Sequence, residues 1–163
     1  MLGMTKLENE IGDLLRARGM KLATAESCTG GLIASRITDV PGSSDYFQGG
    51  VAAYAYEAKV ALLGVSWDTL KAHGAVSRET VIEMARGSRK VLNADIGISV
   101  SGIAGPGGGM PDKPVGTVWV GIVAPDGEWA YLFHFNGDRV QNKSLAADAA
   151  LQVLMEFLTG SIK

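Results

Sequence analysis

Ala25-Glu26-Ser27-Cys28-Thr29-Gly30-Gly31 is the stretch on which the reading of the whole chain turns. A short apolar run, Leu22 to Ala25, enters it, and the pattern Leu32-Ile33-x-x-x-Ile37 leaves it. An apolar run, a tight turn and a helical period together read as a strand, a turn and a helix N-terminus. Backbone N–H groups at such a terminus lack intrahelical partners, and the helix dipole adds partial positive charge, so an anion or a developing oxyanion is stabilised there. Ser27 and Cys28 put two candidate nucleophiles beside that point, with the backbone of Cys28, Thr29, Gly30 and Gly31 available to a ligand. The same residues read equally well as a capped helix with turn glycines, and the stretch alone leaves both readings open.

Upstream, Thr5-x-x-Glu8 is a capping-box pattern, followed by Leu7, Ile11, Leu14 and Leu15 at helical spacing and by Gly19 as a stop. The strand is expected over Lys21–Glu26 and the next helix over Thr29–Thr38. Downstream, Pro41-Gly42-Ser43-Ser44 reads as a loop and Phe47–Tyr54 as a strand in which Gly49-Gly50 marks a bulge or a close backbone approach. Short helices follow at Glu57–Leu63 and from Ser66 to about His73. A longer one is capped by Ser77, with Val81, Met84, Ala85, Ser88 and Leu92 as its inner stripe.

Ile96, Ile98 and Val100 then alternate with Gly97 and Ser99, a strand pattern. Ser101-Gly102 opens a glycine-rich loop running to Gly109, in the position of a ligand loop after a strand. Val115–Ala124, Pro125-Asp126-Gly127 and Glu128–Phe135 form a hairpin pattern, with Trp129, Tyr131, Phe133 and Phe135 on one face as a core or interface surface. Asp138-x-x-Gln141 opens the last helix, whose apolar face carries Leu151, Leu154, Met155 and Leu158. This order predicts one α/β domain over residues 1–163: a mixed sheet flanked by helices, with a closing hairpin and a C-terminal helix.

Composition narrows the function classes. In 163 residues, 47% are hydrophobic and 20% charged, ordinary for a globular domain with a sizeable core. A net charge of −2 with no Lys/Arg block gives nucleic-acid binding no support. The charged start, MLGMTKLENE, has no apolar signal region, and no apolar run reaches membrane-spanning length. One cysteine fits a reducing cytoplasm. His73 and His134 are far apart and lack metal-ligand spacing, so neither a metal nor a Ser-His-Asp triad is expected. Without a histidine base, a serine can be activated by a lysine whose pKa burial has lowered. Tyr54-Ala55-Tyr56-Glu57-Ala58-Lys59 supplies the candidate, because a strand ending at Tyr54 reaches the sheet edge that holds Ser27. By itself, Lys59 also reads as a surface lysine beside a glutamate.

Eight motifs occur in order with consistent spacing. They include the opening stretch, Pro41-Gly42-Ser43-Ser44, Tyr54…Glu57-Ala58-Lys59, Gly74-Ala75-Val76-Ser77, Ser101-Gly102-Ile103-Ala104-Gly105-Pro106 and Gly137-Asp138-Arg139. Together they closely resemble the CinA C-terminal domain family, whose enzymatic members are nicotinamide mononucleotide deamidases. The resemblance runs from about Leu7 to Leu158. It implies hydrolysis of nicotinamide mononucleotide to nicotinate mononucleotide and ammonia, with no cofactor. Ser27 then falls on the nucleophile, Lys59 on the base and Tyr54 on a nearby tyrosine, while Ser101 and Arg139 fall on substrate-contact positions. Arg139 also offers a donor fork for the substrate phosphate. Ala55-Tyr56 departs from the Ser-Asn common in relatives. A homodimer is a further implication. The competing class is a non-catalytic nucleotide-binding or competence- and damage-related module that kept the fold.

Overall fold

The computed structural model describes residues 6–162. Its elements are α1 (Lys6–Arg18), β1 (Leu22–Glu26), α2 (Leu32–Thr38), β2 (Phe47–Ala52), α3 (Tyr56–Leu63), α4 (Trp67–His73), α5 (Arg78–Val91), β3 (Ile96–Gly102), β4 (Thr117–Ala124), β5 (Gly127–His134) and α6 (Arg139–Leu158). A short 3-10 turn, Ser43–Asp45, precedes β2. The five strands form one sheet in the order β2-β1-β3-β4-β5. β1 runs parallel to both β2 and β3, and the β3–β4 and β4–β5 pairs are antiparallel. The sheet is therefore mixed, with helices on both faces.

The alternation along β3 determines how the two faces are filled. Ile96, Ile98 and Val100 belong to the main core, with Val118, Val120 and Ile122 of β4 and the apolar stripes of α1, α2 and α6. The opposite face carries Gly97 and Ser99 of β3 and Gly121 of β4, all small, so α5 lies close against it. Ser99 Oγ donates to the Val81 carbonyl of α5 at 2.5 Å, and a Cβ at Gly97 would overlap the Ala85 carbonyl. Gly97→Ala is therefore expected to destabilise the fold by about 1–3 kcal/mol through overpacking. The denaturant midpoint measures it; an unchanged midpoint would mean that α5 is free to shift.

Several boundaries differ from the sequence expectation for identifiable reasons. α2 starts at Leu32 rather than Thr29, because Gly30 (φ 62°) and Gly31 (φ 108°) adopt left-handed backbone that a helix cannot contain. β2 stops at Ala52, level with the end of its partner β1 at Glu26; Tyr54 lies beyond it in the link to α3. The expected irregularity is present where Leu22 pairs with Phe47 and Ala23 with Gly49. β4 starts at Thr117, since the Thr117 N–H is turned onto the Pro114 carbonyl at 3.0 Å. The capping box of α6 has both arms, Asp138 to Gln141 and back. The expected box at Thr5 falls outside the described residues; its Glu8 is buried and accepts from Arg36 of α2 at 2.7 Å. The hairpin aromatics are half-buried against the main core, Trp129 on Phe157 of α6 at 5.7 Å between ring centres. Among the described residues no helix is long and apolar enough to cross a membrane.

Candidate active site

The parallel strands β2, β1 and β3 end at the same edge of the sheet. Three segments therefore meet there: Ser27 after β1, Ala53–Tyr54 after β2, and Ser101-Gly102 closing β3. β5, antiparallel to β4 and so running in the direction of β3, also ends at this edge and delivers Arg139 at the start of α6. This is where an open α/β sheet places its ligand crevice. A cavity of about 200 Å³ lies at that point, lined by Ser27, Cys28, Tyr54, Lys59, Ser101 and Arg139, with Gly102 beside Ser101.

Lys59 is fully buried. Its Nζ lies 2.8 Å from Ser27 Oγ, 2.9 Å from the Ala53 carbonyl and 3.0 Å from the Tyr54 carbonyl. The two carbonyls can only accept, so they fix two N–H bonds of the amine. The third position of the nitrogen then faces the serine hydroxyl: an ammonium donates to Ser27 there, and a neutral amine accepts from it. Burial pushes the Lys59 pKa down from 10.5 to about 8, partly opposed by the Cys28 thiol. Among the described residues no carboxylate pairs with the ammonium. Glu57, two residues away in sequence, is exposed while Lys59 is buried, and Glu26 is engaged on the other side of the turn.

That engagement changes how the opening stretch works. The buried Glu26 carboxylate accepts from Thr29 Oγ1 at 2.6 Å and from the N–H groups of Ile33 at 2.8 Å and Ala34 at 3.0 Å. It therefore caps α2 and occupies the helix N-terminus that the sequence reading offered to a ligand. The Gly30 N–H is turned onto the Ser27 carbonyl at 3.1 Å. Thr29, Gly30 and Gly31 do not line the cavity. They shape the turn, and the N–H groups of Cys28 and Thr29 are left without an oxygen acceptor among the described residues. The Cys28 thiol is buried, and its pKa is pushed up from 9.0 to about 11 by burial, with the Glu26 charge adding to the rise; its own backbone N–H and the Lys59 charge oppose it. A thiol at a free helix N-terminus has its pKa lowered. Here Glu26 has taken that terminus.

Tyr54 is well exposed, and its hydroxyl accepts from Arg139 Nη2 at 2.9 Å rather than reaching the serine–lysine pair. Its carbonyl, not its hydroxyl, orients Lys59. Arg139 Nη1 donates to the Gly105 carbonyl at 2.7 Å, so the guanidinium ties the glycine-rich loop to Tyr54 and keeps its other N–H groups for a ligand. Ser101 is buried with no hydrogen-bond partner for its hydroxyl among the described residues. Three wall residues were given no role in the sequence reading: Ala75, Val76 and Ala104. Asn142 was missed as well. Buried on α6, it donates to the carbonyls of Ala104 and Gly137, both at 3.0 Å, and holds the loops on either side of Arg139. A polar residue on the inward face of an apolar helix was the available signal.

These features define a mixed α/β domain with a buried serine–lysine pair in a small cleft at the ends of its parallel strands. A model of the CinA C-terminal domain matches residues 4–158, and the chain belongs to that family. A putative competence-damage inducible protein of Halothermothrix orenii is 54% identical over 160 residues, covering 98% of this chain and 39% of that protein. A CinA-like protein of Chloroherpeton thalassium is 50% identical over 159 residues, covering 95% of this chain and 38% of that protein. The chain thus spans about two fifths of the length of these relatives. The crystal structure of competence damage-inducible protein A from Klebsiella pneumoniae subsp. pneumoniae MGH 78578 superposes with a TM-score of 0.93 at 38% identity, covering 96% of this chain and 98% of that one.

Proposed function

We propose that this chain is an amidohydrolase that converts nicotinamide mononucleotide to nicotinate mononucleotide and ammonia, a step of pyridine nucleotide salvage in the cytoplasm. The observation that carries the chemistry is the buried Lys59 amine, 2.8 Å from Ser27 Oγ with its other two positions on carbonyls. The substrate comes from the motif resemblance. Neutral Lys59 takes the Ser27 proton as Oγ attacks the carboxamide carbon. The Cys28 and Thr29 N–H groups meet the oxyanion. The carbon–nitrogen bond breaks, Lys59 gives its proton to the leaving nitrogen, and ammonia departs. Water then attacks the acyl-enzyme while Lys59 takes its proton. That proton returns to Ser27 Oγ as the carboxylic acid leaves, to lose its own proton to water.

Ammonia release on mixing the purified protein with nicotinamide mononucleotide tests the reading. No release, with the nucleotide still bound, would favour the non-catalytic nucleotide-binding module. That module is the reading closest to the competence and damage names of the relatives.

Arg139 is assigned to the substrate phosphate, using the N–H groups that Gly105 and Tyr54 leave free. Arg139→Ala should lower kcat/KM for nicotinamide mononucleotide by roughly 2–4 kcal/mol of transition-state binding. Nicotinamide riboside, which lacks the phosphate, should be a poor substrate and little affected. Equal losses on both would reduce Arg139 to its tie between Tyr54 and the glycine-rich loop.

A further inference from the structure

One wall of the Ser27 cavity is the strap Gly74–Val76 between α4 and α5, and Ala75 and Val76 line the cavity directly. The strap has no secondary structure of its own, so its position depends on what holds it. At one end, Ser77 Oγ, which caps α5, and Thr80 Oγ1 of α5 donate to the Gly74 carbonyl at 3.0 and 2.7 Å. Just before it, Lys113 Nζ, from the segment between the glycine-rich loop and β4, donates to the His73 carbonyl at 2.7 Å. On the peptide that forms the wall itself there is one tie. The Ala75 N–H donates to the Tyr56 hydroxyl at 3.3 Å, and among the described residues it has no other acceptor. Tyr56 is the first residue of α3, three residues before Lys59. Its ring rests against Trp67 of α4 at 6.4 Å between centres, so the ring is placed without the hydroxyl.

We propose that Tyr56 is a specificity-determining positioning residue: its hydroxyl holds the Ala75 peptide and so sets how closely the apolar Ala75–Val76 wall approaches the ligand beside Ser27. The two small side chains present an apolar surface, suited to the flat face of an aromatic amide. A cavity of about 200 Å³ has little room to spare, so a wall that drifts outward loses contact with the ring. The tie touches neither Ser27 nor Lys59. It therefore acts on binding and leaves the proton transfer alone. The identity of the ligand rests on the function proposed above; the hold of Tyr56 on the strap does not.

The test uses Tyr56→Phe, which keeps the ring and removes the hydroxyl. Placed in a Ser27→Ala background, it should weaken nicotinamide mononucleotide binding, read by calorimetry, by about 5–10-fold, the size of one lost hydrogen bond. In the otherwise wild-type enzyme KM should rise by the same factor, with kcat and the pH midpoint of activity unchanged. Hydrogen exchange at the Ala75 amide should become faster with no ligand present. Unchanged exchange would overturn the tie, and faster exchange with unchanged binding would show that the strap is not a ligand wall. A fall in kcat at constant KM would move Tyr56 into the chemical step and also overturn the proposal. If the Ser27→Ala protein binds no mononucleotide, the substrate reading falls and the specificity role with it, whereas the exchange measurement still reports on the strap.

Discussion

Ser27→Ala is expected to lower kcat/KM on nicotinamide mononucleotide by at least about a thousandfold, while Cys28→Ala keeps most of the activity. The two side chains are adjacent and both line the cavity, so proximity does not choose between them. Their surroundings do. Ser27 Oγ has the Lys59 amine at 2.8 Å. The Cys28 thiol is buried in the main core, and its pKa is pushed up to about 11, first by burial and then by the Glu26 carboxylate. At neutral pH that thiol carries almost no thiolate, the form that reacts. Removing its sulfur costs about 1 kcal/mol or more of packing, so each variant needs a check of folding by circular dichroism before its rate is read. The wild type should also resist thiol alkylation. A folded Cys28→Ala as inactive as Ser27→Ala would make the thiol the nucleophile.

The fold was legible where a residue's neighbours in sequence are also its neighbours in space. Ile96-Gly97-Ile98-Ser99-Val100 announces a strand with one bulky and one small face, and the structure puts the core on one and α5 on the other. Asp138-x-x-Gln141 announces the start of α6, and both capping bonds are there. The candidate site was legible in part. The parallel order of β2, β1 and β3 follows from the strand–helix alternation, and it brings Ser27, Tyr54 and Lys59 to one edge. Contacts between a side chain and a distant backbone were not legible. Glu26 caps α2 from seven and eight residues upstream of Ile33 and Ala34, a spacing that no capping pattern contains. Two carbonyls orient Lys59, and any residue has a carbonyl, so residue types carry no trace of that role. Likewise, Ala75 and Val76 become a wall only because α4 and α5 fold back toward the sheet edge.

Lys59 carries the second large effect, since the whole proton inventory of the proposed reaction passes through it. Burial puts its pKa at about 8 in the folded protein against 10.5 ordinarily. The active form is the neutral amine, so activity should rise with pH through one ionisation near 8 and level off above it. The same shift has a consequence for stability. Between about pH 8 and 10.5 the unfolded chain binds the proton and the folded one does not, so the Lys59 contribution to stability rises with pH across that window. Below pH 8 the folded protein bears the full cost of a buried ammonium. Lys59→Arg should be nearly as inactive as Lys59→Ala, at least about a hundredfold down, because a guanidinium stays protonated and cannot accept from serine. Arginine is also too large for a fully buried position bounded by two carbonyls and Ser27 Oγ. Lys59→Ala therefore controls for crowding, and its activity should return in part with added small amines, which can enter the space left behind. A Lys59→Arg enzyme that keeps substantial activity, with no ionisation near 8 in its wild-type parent, would make Lys59 a fixed charge. The proton acceptor would then have to be a bound water rather than the amine.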